Sequence, residues 1–295
     1  MRFPETTGES VQGLALGTKA QNEDARRGRL VRGIMLAVAL LYVATLLLAP
    51  LAGIAYSALK SGFGEIARTF AQADVLHAFS LTFLIMLITV AVTSVFGVAV
   101  ALVLARDRFW GRRLVSAIVD LPLAVSPVIV GLMAVLLFGR RGWFEPFFTA
   151  RGIQIIFAVP SMVLVTIFIS IPFVIREVVP VLQELGTEEE QAAWTLGASR
   201  FQTFFRVTLP NIRWGLLYGI ALSSARAIGE VGAVLIVSGT IQGHTETATL
   251  YILRAFDQRQ DTQGYVVALA LAVFSILLLI GIEFFKRRKI KEGTS

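Results

Sequence analysis

Six long stretches of apolar residues, separated by polar segments, organise this chain. A hydrocarbon core of about 30 Å requires roughly 20 apolar residues of helix, and each stretch is long enough to supply them. The stretches are Gly33–Leu59, Leu76–Ala105, Leu114–Phe138, Ile155–Pro180, Trp214–Gly239 and Gly264–Phe285. The pattern predicts an all-α membrane protein with six transmembrane helices.

Polar residues occupy both ends of the chain. Residues 1–32 show no clear helical period, and we expect a mobile cytoplasmic segment whose role the sequence does not indicate. The run Gly33–Leu59 is too long for the core of a secretory signal, so it is interpreted as a retained span. The six-span domain then covers residues 33–285, and residues 286–295 form a basic cytoplasmic tail.

The positions of the basic residues orient the chain in the membrane. If the N-terminus lies in the cytoplasm, most of the 27 Lys and Arg residues fall in cytoplasmic segments, and Arg176 is counted among them at a helix end. Cytoplasmic loops of membrane proteins carry such an excess of Lys and Arg. Both termini are therefore predicted to be cytoplasmic, and the net charge of +7 requires no nucleic-acid partner.

Composition excludes several classes of protein. Hydrophobic residues make up 56% of the chain and charged residues 16%, against about 45–50% and 25% in soluble domains, which excludes a water-soluble enzyme. The chain has no cysteine and only two histidines, so we predict neither a metal site nor a catalytic centre. No G-x-x-x-x-G-K-[ST] motif occurs, so the chain is not expected to bind ATP.

Proline residues are expected to break several spans, at Pro50, Pro122, Pro127, Pro160 and Pro172. Proline removes a helix hydrogen bond, and in a membrane the freed backbone group needs another partner. We predict an unwound segment over Asp120–Gly131 that lines a translocation path. Its candidate residues are Asp120, Pro122, Ser126 and Pro127, and Asp120 would cap the broken span or bond to Ser126. The alternative is that the prolines only kink packed helices.

The loop between spans four and five, Val181–Arg213, is polar but patterned. Thr187 and Glu190 fit a capping box, in which each side chain satisfies the backbone N–H of the other residue. This pattern predicts a helix of about two turns that ends at Gly197, because glycine suits a left-handed C-cap.

A second short helix is predicted after this glycine, with Ser199 as its N-cap and its end at Leu209 and Pro210. Its aromatic residues share one face: Phe201, Phe204 and Phe205. Two short helices that meet at a glycine and present aromatic side chains fit a groove on another protein. A hairpin that rests on lipid fits the same pattern.

The same loop resembles the EAA loop of bacterial ABC importer permeases, whose pattern is E-A-A, three residues, G, nine residues, I-x-L-P. The matching positions are Gln191, Ala192, Ala193, Gly197, Val207, Leu209 and Pro210. Gln191 replaces the acid of the family pattern, although Glu190 precedes it, and Val207 replaces the isoleucine. The resemblance implies a type I ABC importer transmembrane domain, whose coupling loop at about residues 187–210 docks on a separate ATPase.

Three further segments resemble the W-type permease subunits of sulfate/thiosulfate importers. They are Leu121–Val128, Thr208–Trp214 and Ala225–Ala233. The resemblance implies a heterodimer with a T-type permease, two copies of a subunit that binds ATP and Mg²⁺, and an extracytoplasmic sulfate-binding protein. It also implies the bacterial inner membrane as the location, and this chain itself would bind no cofactor.

Arg226 and Glu230 lie four positions apart in the fifth span and therefore on one face of a helix. Ionisable residues at membrane depth usually face the protein interior or a water-filled path. Arg226 could form part of the environment of a crossing oxyanion, whereas Glu230 would repel an anion. Alternatively, the two side chains form an internal ion pair. Both residues remain candidates for the path.

Three alternatives to a sulfate permease are considered. Molybdate permeases share part of the A-R-x-x-G-E stretch, so a molybdate or tungstate permease has the same pattern there. A stand-alone secondary transporter would require matched repeats, and no convincing repeat is present. A membrane-embedded enzyme would require a catalytic set that the chain lacks. The sequence leaves open the preferred oxyanion and the choice between a heterodimer and a homodimer.

Overall fold

A computed structural model describes the backbone of residues 9–107 and 109–292 and the side chains of residues 31–107 and 109–281. The described part is helical and contains no strand. The helices are α1 (Glu9–Lys60), α2 (Phe63–Ala71), α3 (Ala73–Arg106), α4 (Arg112–Ala124), α5 (Pro127–Phe138), α6 (Glu145–Thr149), α7 (Val159–Leu185), α8 (Glu188–Thr195), α9 (Arg200–Thr203), α10 (Leu209–Ile228), α11 (Gly232–Ser238), α12 (Ala248–Asp257) and α13 (Asp261–Glu292). A π-helical turn, Phe204–Thr208, joins α9 to α10.

The chain divides into two compact units, Met1–Tyr56 and Ser57–Ser295. Most of α1 makes up the first unit, and this helix already begins at Glu9. Residues 9–32, whose sequence shows no clear helical period, thus belong to this helix. The predicted break at Pro50 is wrong, because the helix continues through this residue. A single missing hydrogen bond is tolerated in a long apolar helix.

Four helices are long and apolar enough to cross a membrane. They are Val31–Lys60, Ala73–Arg106, Val159–Leu185 and Asp261–Gly281. Two bent pairs of helices pass the same test, so the count becomes six if each pair is one span. All six predicted stretches thus coincide with apolar helices or helix pairs.

The third stretch is divided into α4 and α5, whose axes differ by 109°. Only Val125 and Ser126 leave the helical conformation, so the predicted unwound segment Asp120–Gly131 was too long. Pro122 remains inside α4, whereas Pro127 occupies the start of α5. A proline fits the first turn of a helix because the N–H it lacks has no partner there.

The prolines of α7 do not break it. Pro160 lies at its start, and Pro172 lies inside a continuous helix that extends to Leu185. The predicted break at Pro172 is therefore wrong. As a consequence, Arg176 is not at a helix end: α7 continues beyond it for more than two turns.

The fifth stretch contains a break that was not predicted. Helix α10 ends at Ile228 and α11 begins at Gly232, with a 54° bend for the pair. The sequence signal is present in the two glycines, Gly229 and Gly232, that flank Glu230, because glycine lowers the stability of a helix interior.

Glycines and small polar residues bring α3, α7 and α10 close together. A Cβ atom at Gly97 would lie 2.7 Å from Cγ1 of Val174, and one at Gly219 would lie 2.9 Å from Cα of the same valine. The hydroxyls of Thr93 and Ser223 lie 3.2 Å apart and join α3 to α10. Small residues allow this close approach, as is common between helices in membranes.

Candidate functional site

Residues 187–210, called the coupling segment below, fold as two short helices that meet at Gly197. The predicted left-handed C-cap of α8 is confirmed, since Gly197 has φ +84°. The N–H of Gly197 donates to the carbonyl of Trp194 at 3.0 Å, and that of Ala198 donates to the carbonyl of Ala193 at 3.0 Å. This pair of bonds is a Schellman motif, which satisfies carbonyls at the end of the helix.

Glu190 does not take part in the predicted capping box, because no capping bond forms at Thr187. Its side chain points into the protein, where Oε1 accepts bonds from Arg106 Nη2 at 3.1 Å and from Thr208 Oγ1 at 2.8 Å. Arg106 also donates from Nη1 to the carbonyl of Leu182 at 3.0 Å. Through these bonds, Glu190 and Arg106 tie α8 to the end of α3, to α7 and to the π turn before α10. We call this set the Glu190 joint.

A capping box was predicted at the start of α8, but it occurs at the start of α9. Ser199 caps α9 as expected, and its side chain and that of Gln202 satisfy each other's backbone N–H. The predicted end at Leu209 and Pro210 is wrong, because the π turn leads directly into α10. Pro210 lies in the first turn of α10, where its missing N–H costs little.

The coupling segment carries an exposed apolar surface. Leu196 is 88% exposed and Phe201 is 72% exposed, and Trp194 and Phe205 lie about half exposed beside them. The rings of Phe201 and Phe205 contact each other with centroids 4.5 Å apart. Exposed apolar side chains in such a group mark an interaction surface, and both a protein groove and a lipid surface would cover them.

The residues predicted for coupling lie at different depths in this segment. Gln191, Ala192, Gly197 and Pro210 are exposed, Ala193 and Leu209 are half-buried, and Glu190 is buried. Gln191 donates to the hydroxyl of Thr187 at 3.0 Å, so it stabilises the start of α8 locally. Glu190 anchors the segment, and the exposed residues surround its apolar surface.

The two breaks in the third and fifth stretches lie against each other. A Cβ atom at Gly131 of α5 would lie 2.8 Å from the carbonyl oxygen of Ala233 in α11. One at Gly232 would lie 3.1 Å from Cβ of Pro127. The structure thus places the predicted path residue Pro127 beside Gly232, which follows Glu230 by two residues, although Pro127 and Glu230 are far apart in sequence.

Arg226 and Glu230 form the expected ion pair, with Nη2 and Oε2 2.7 Å apart. Glu230 is not in a helix, however: it lies in the break, and its Oε1 accepts a bond from the backbone N–H of Ala233 at 2.8 Å. The side chain of Glu230 is 2% exposed and that of Arg226 is 29% exposed. Glu230 is therefore fixed by α11, and of the two side chains only that of Arg226 is partly exposed.

Asp120 does not contact Ser126 or cap the broken span, which corrects that prediction. Its Oδ1 accepts a bond from Nε of Arg176 at 2.9 Å, which ties α4 to α7. The side chains remain 57% exposed for Arg176 and 41% exposed for Asp120. Ser126 occupies the N-cap of α5 without a capping bond from its side chain.

A buried polar cluster was missed entirely, at the segment between α11 and α12. Glu246 is buried and accepts two bonds from Arg254, at 2.6 Å from Nε and 3.0 Å from Nη2. The hydrogen bond to Glu246 raises the pKa of the Arg254 guanidinium, and burial opposes that rise. Tyr251 donates to Gln72 at 3.1 Å, which ties α12 to the start of α3. The i,i+8 spacing gives no sequence signal for the pair.

The chain matches one family model over residues 94–291, described as "Binding-protein-dependent transport system inner membrane component". The matched range includes the coupling segment, both broken stretches and almost all of α13.

Named relatives match over most of their length. A protein named "Sulfate transport system permease protein CysW" from Synechococcus elongatus is 45% identical over 83% of this chain and 86% of its own. A protein named "Sulfate transport system permease protein CysT" from Synechocystis is 35% identical over 85% of this chain and 87% of its own.

A solved structure has the same fold. It is a bacterial ABC transporter for the import of alginate, and it matches with a TM-score of 0.74 over 91% of this chain and 99% of that chain, at 20% identity. Family model, relatives and fold agree with the resemblance seen in the EAA-like pattern. The chain belongs to the binding-protein-dependent transport system inner membrane components, the type I permeases of ABC importers.

Proposed function

We propose that the chain is the W-type permease subunit of an ATP-driven importer and forms one half of the membrane path for sulfate or thiosulfate. The relative named a sulfate permease, CysW, supports this assignment over most of both chains. The observation that carries the coupling role is the exposed apolar surface of the coupling segment, which the buried Glu190 joint holds at its base.

The coupling segment is proposed to dock on a separate ATPase subunit and to transmit its closure. Its contact residues would be Gln191, Ala192, Ala193, Gly197, Leu209 and Pro210, with Glu190 as the anchor. Because Glu190 bonds to Arg106 and Thr208, a displacement of α8 would move the end of α3 and the start of α10 with it. ATP and Mg²⁺ would be held by the ATPase, and this chain would bind no cofactor.

The proposed topology has six spans with both termini in the cytoplasm of a bacterium and the chain in its inner membrane. Each bent helix pair counts as one span in this arrangement. The coupling segment then lies on the cytoplasmic side, together with the end of α3 to which it is bonded. Residues 1–32 and 286–295 would be the polar ends of residues 33–285.

The translocation path is proposed to run beside the two breaks. Its candidate residues remain Asp120, Pro122, Ser126, Pro127, Arg226 and Glu230. Pro127 and Glu230 belong to breaks that pack together, and irregular backbone at membrane depth is tolerated where it is buried or lines a cavity. Arg226 supplies the accessible positive charge, while Glu230 is held by its bond to α11.

The assembly is proposed to contain a T-type permease as the second half of the path, two ATP-binding subunits and an extracytoplasmic sulfate-binding protein. Relatives of both CysW and CysT type match this chain, which favours a heterodimer. The family description names a binding-protein-dependent system, which supports an external delivery protein. No nucleic acid is expected as a partner.

The test is uptake of labelled sulfate by cells that lack the gene, with and without excess molybdate as competitor. Loss of sulfate uptake on deletion, with little effect of molybdate on wild-type cells, is the expected result. Intact sulfate uptake with lost molybdate or tungstate uptake would reassign the substrate. Unchanged uptake of all these oxyanions would overturn the substrate assignment.

A variant tests the coupling role separately. We expect Gly197→Asp to abolish ATP-dependent uptake while the protein still inserts in the membrane, because the new carboxylate would place an unpaired charge within the apolar surface that is proposed to dock. Membrane fractionation shows insertion, and uptake in cells shows function. Undiminished uptake by this variant would contradict the coupling role.

A further inference from the structure

A cavity of about 240 Å³ lies between α3, α4 and α7, apart from the break at Glu230. Its polar lining consists of Arg112, Ser116, Asp120, Arg176 and Gln183. The remaining lining residues are apolar and come from α3, α4 and α7. The cavity is partly open to the surface and exceeds the size of a tetrahedral oxyanion.

The charges that line this cavity are unbalanced. Two arginines, Arg112 and Arg176, and one acidic residue, Asp120, line it. Arg side chains present several N–H donors in a fixed plane that matches the oxygens of phosphate-like groups. Ser116 and Gln183 add a hydroxyl and an amide, which also donate hydrogen bonds. The lining is therefore richer in donors and positive charge than an ion pair alone requires.

The contact between Asp120 and Arg176 leaves most of this donor capacity unused. A single bond joins Nε of Arg176 to Oδ1 of Asp120 at 2.9 Å. The two terminal nitrogens of Arg176 are not the donors in that bond, and its side chain is more than half exposed. A ligand could therefore bind the terminal nitrogens while Asp120 retains Nε.

The cavity lies close to the Glu190 joint. Leu104, one of its lining residues, is two positions before Arg106 in α3. Gln183, another lining residue, follows Leu182, whose carbonyl accepts the bond from Arg106. The cavity is thus at the same end of the molecule as the coupling segment, which is the release side in the proposed function.

We propose that this cavity binds one tetrahedral oxyanion, such as sulfate or the phosphate group of a lipid, between Arg112 and Arg176. Asp120 repels the anion and keeps the affinity low, as a release-side site requires. The site is distinct from Arg226, which lies in α10 and does not line this cavity. The assignment of a release side rests on the proposed function, whereas anion binding itself does not.

The experiment measures equilibrium binding of labelled sulfate to the full-length chain, purified into discs of zwitterionic lipid in a chloride buffer. We expect Arg112→Gln and Arg176→Gln each to weaken binding about tenfold, because each removes a charged donor. Asp120→Asn should strengthen binding, because it removes the repelling charge. Arg113→Gln is the matched control: Arg113 is exposed on the same turn of α4 and does not line the cavity.

The elution volume and the melting temperature show whether a variant still folds, so that a loss of sulfate binding can be separated from a loss of structure. Arg112 has no bond to another element among the described contacts, so Arg112→Gln should preserve the elution volume and the melting temperature of the chain. Binding that is equal in the wild type, Arg112→Gln and Arg113→Gln would overturn the proposal. So would weaker binding in Asp120→Asn, since the carboxylate would then assist the anion.

A second arm distinguishes the two sources of the oxyanion. Discs that contain phosphatidylglycerol should lower sulfate binding if the lipid phosphate occupies the same site, and Arg176→Gln should then reduce the lipid retained in native mass spectrometry. Sulfate binding unaffected by this lipid assigns the site to the free anion. If neither sulfate nor lipid depends on Arg112 and Arg176, the proposal is wrong, whatever the outcome of the uptake experiment.

Discussion

Two arginine–carboxylate pairs near the coupling end of the molecule differ in their surroundings. The side chains of Arg106 and Glu190 are 17% and 11% exposed, and they share bonds with Thr208 and the Leu182 carbonyl. Those of Arg176 and Asp120 are 57% and 41% exposed. Both pairs join two helices through one nitrogen–oxygen contact near 3 Å.

The difference determines what each pair can do. A buried pair that loses one partner leaves an uncompensated charge, which costs about 3–5 kcal/mol. An exposed pair contributes about 0–1 kcal/mol, because water competes with it. The Glu190 joint therefore fixes the position of α8 on the bundle. Arg176 can therefore exchange Asp120 for a dissolved anion at little cost to the stability of the fold.

Removal of Arg106 should cause the largest loss of stability, because it removes one partner of the buried pair. Arg106→Met leaves Glu190 buried without its counter-charge, and we expect a loss of about 3–5 kcal/mol in the free energy of unfolding together with loss of uptake. Thermal unfolding in detergent measures the first effect. Arg68→Met is the control, since Arg68 is 82% exposed in its pair with Glu65. Equal melting temperatures for the two variants would contradict the role given to the joint.

Removal of the second donor to Glu190 should have a smaller effect. Thr208→Val preserves the shape of the side chain but deletes the 2.8 Å bond to the carboxylate. A hydrogen bond to a charged group contributes about 1.5–3 kcal/mol, so the unfolding midpoint should fall by a corresponding amount. Thr195→Val, at an exposed threonine of α8, is the comparison. A neutral Thr208→Val would show that Arg106 alone holds Glu190.

A substitution in the backbone turn at Gly197, beside the Glu190 joint, should have the third largest effect. Gly197→Ala places a side chain at φ +84°, which costs about 1–2 kcal/mol, although no atom lies within 4 Å of the new Cβ. We expect reduced uptake with normal insertion. Gly64→Ala, in α2 and also without a neighbour within 4 Å, should be neutral or stabilising. Equal uptake by the two variants would refute the requirement for this turn.

Removal of the exposed arginine should have the smallest effect on stability. Arg176→Gln breaks a pair that is open to solvent, so the free energy of unfolding should change by about 0–1 kcal/mol. Thermal unfolding under the conditions used for Arg106→Met gives the comparison directly. A loss as large as that of Arg106→Met would mean that the two pairs are equivalent.

Local chemistry in the coupling segment was predictable from the sequence. The C-cap at Gly197 and the N-cap at Ser199 depend on residues within a few positions of each other, and both are confirmed. The role of Glu190 was not predictable, because Arg106 lies 84 positions away. Glu190 fits the local pattern of a capping box, but its carboxylate bonds to the distant Arg106 instead. Burial favours this partner because it strengthens the attraction between opposite charges.

The membrane helices show the same limit. The length of each run of apolar residues was enough to locate all six stretches, because the thickness of the bilayer sets the length that a spanning helix needs. Gly229 and Gly232 mark a weak point in the fifth stretch, but the positions of the bends also depend on packing. Helices α5 and α11 meet through Gly131 and Gly232, and a contact between residues so far apart in sequence has no local pattern. Proline density placed one break to within a few residues and falsely predicted others at Pro50 and Pro172.

The apolar part of α1 has a consequence for how the subunit is made. The most apolar window of Val31–Lys60 has a mean hydropathy of 2.5, and apolar surface of this kind is unfavourable in water. The helix must therefore be covered by lipid or by another apolar surface from the moment it leaves the ribosome. A cell in which membrane insertion falls behind synthesis would accumulate this helix as an uncovered surface, which gives membrane quality control a feature to recognise.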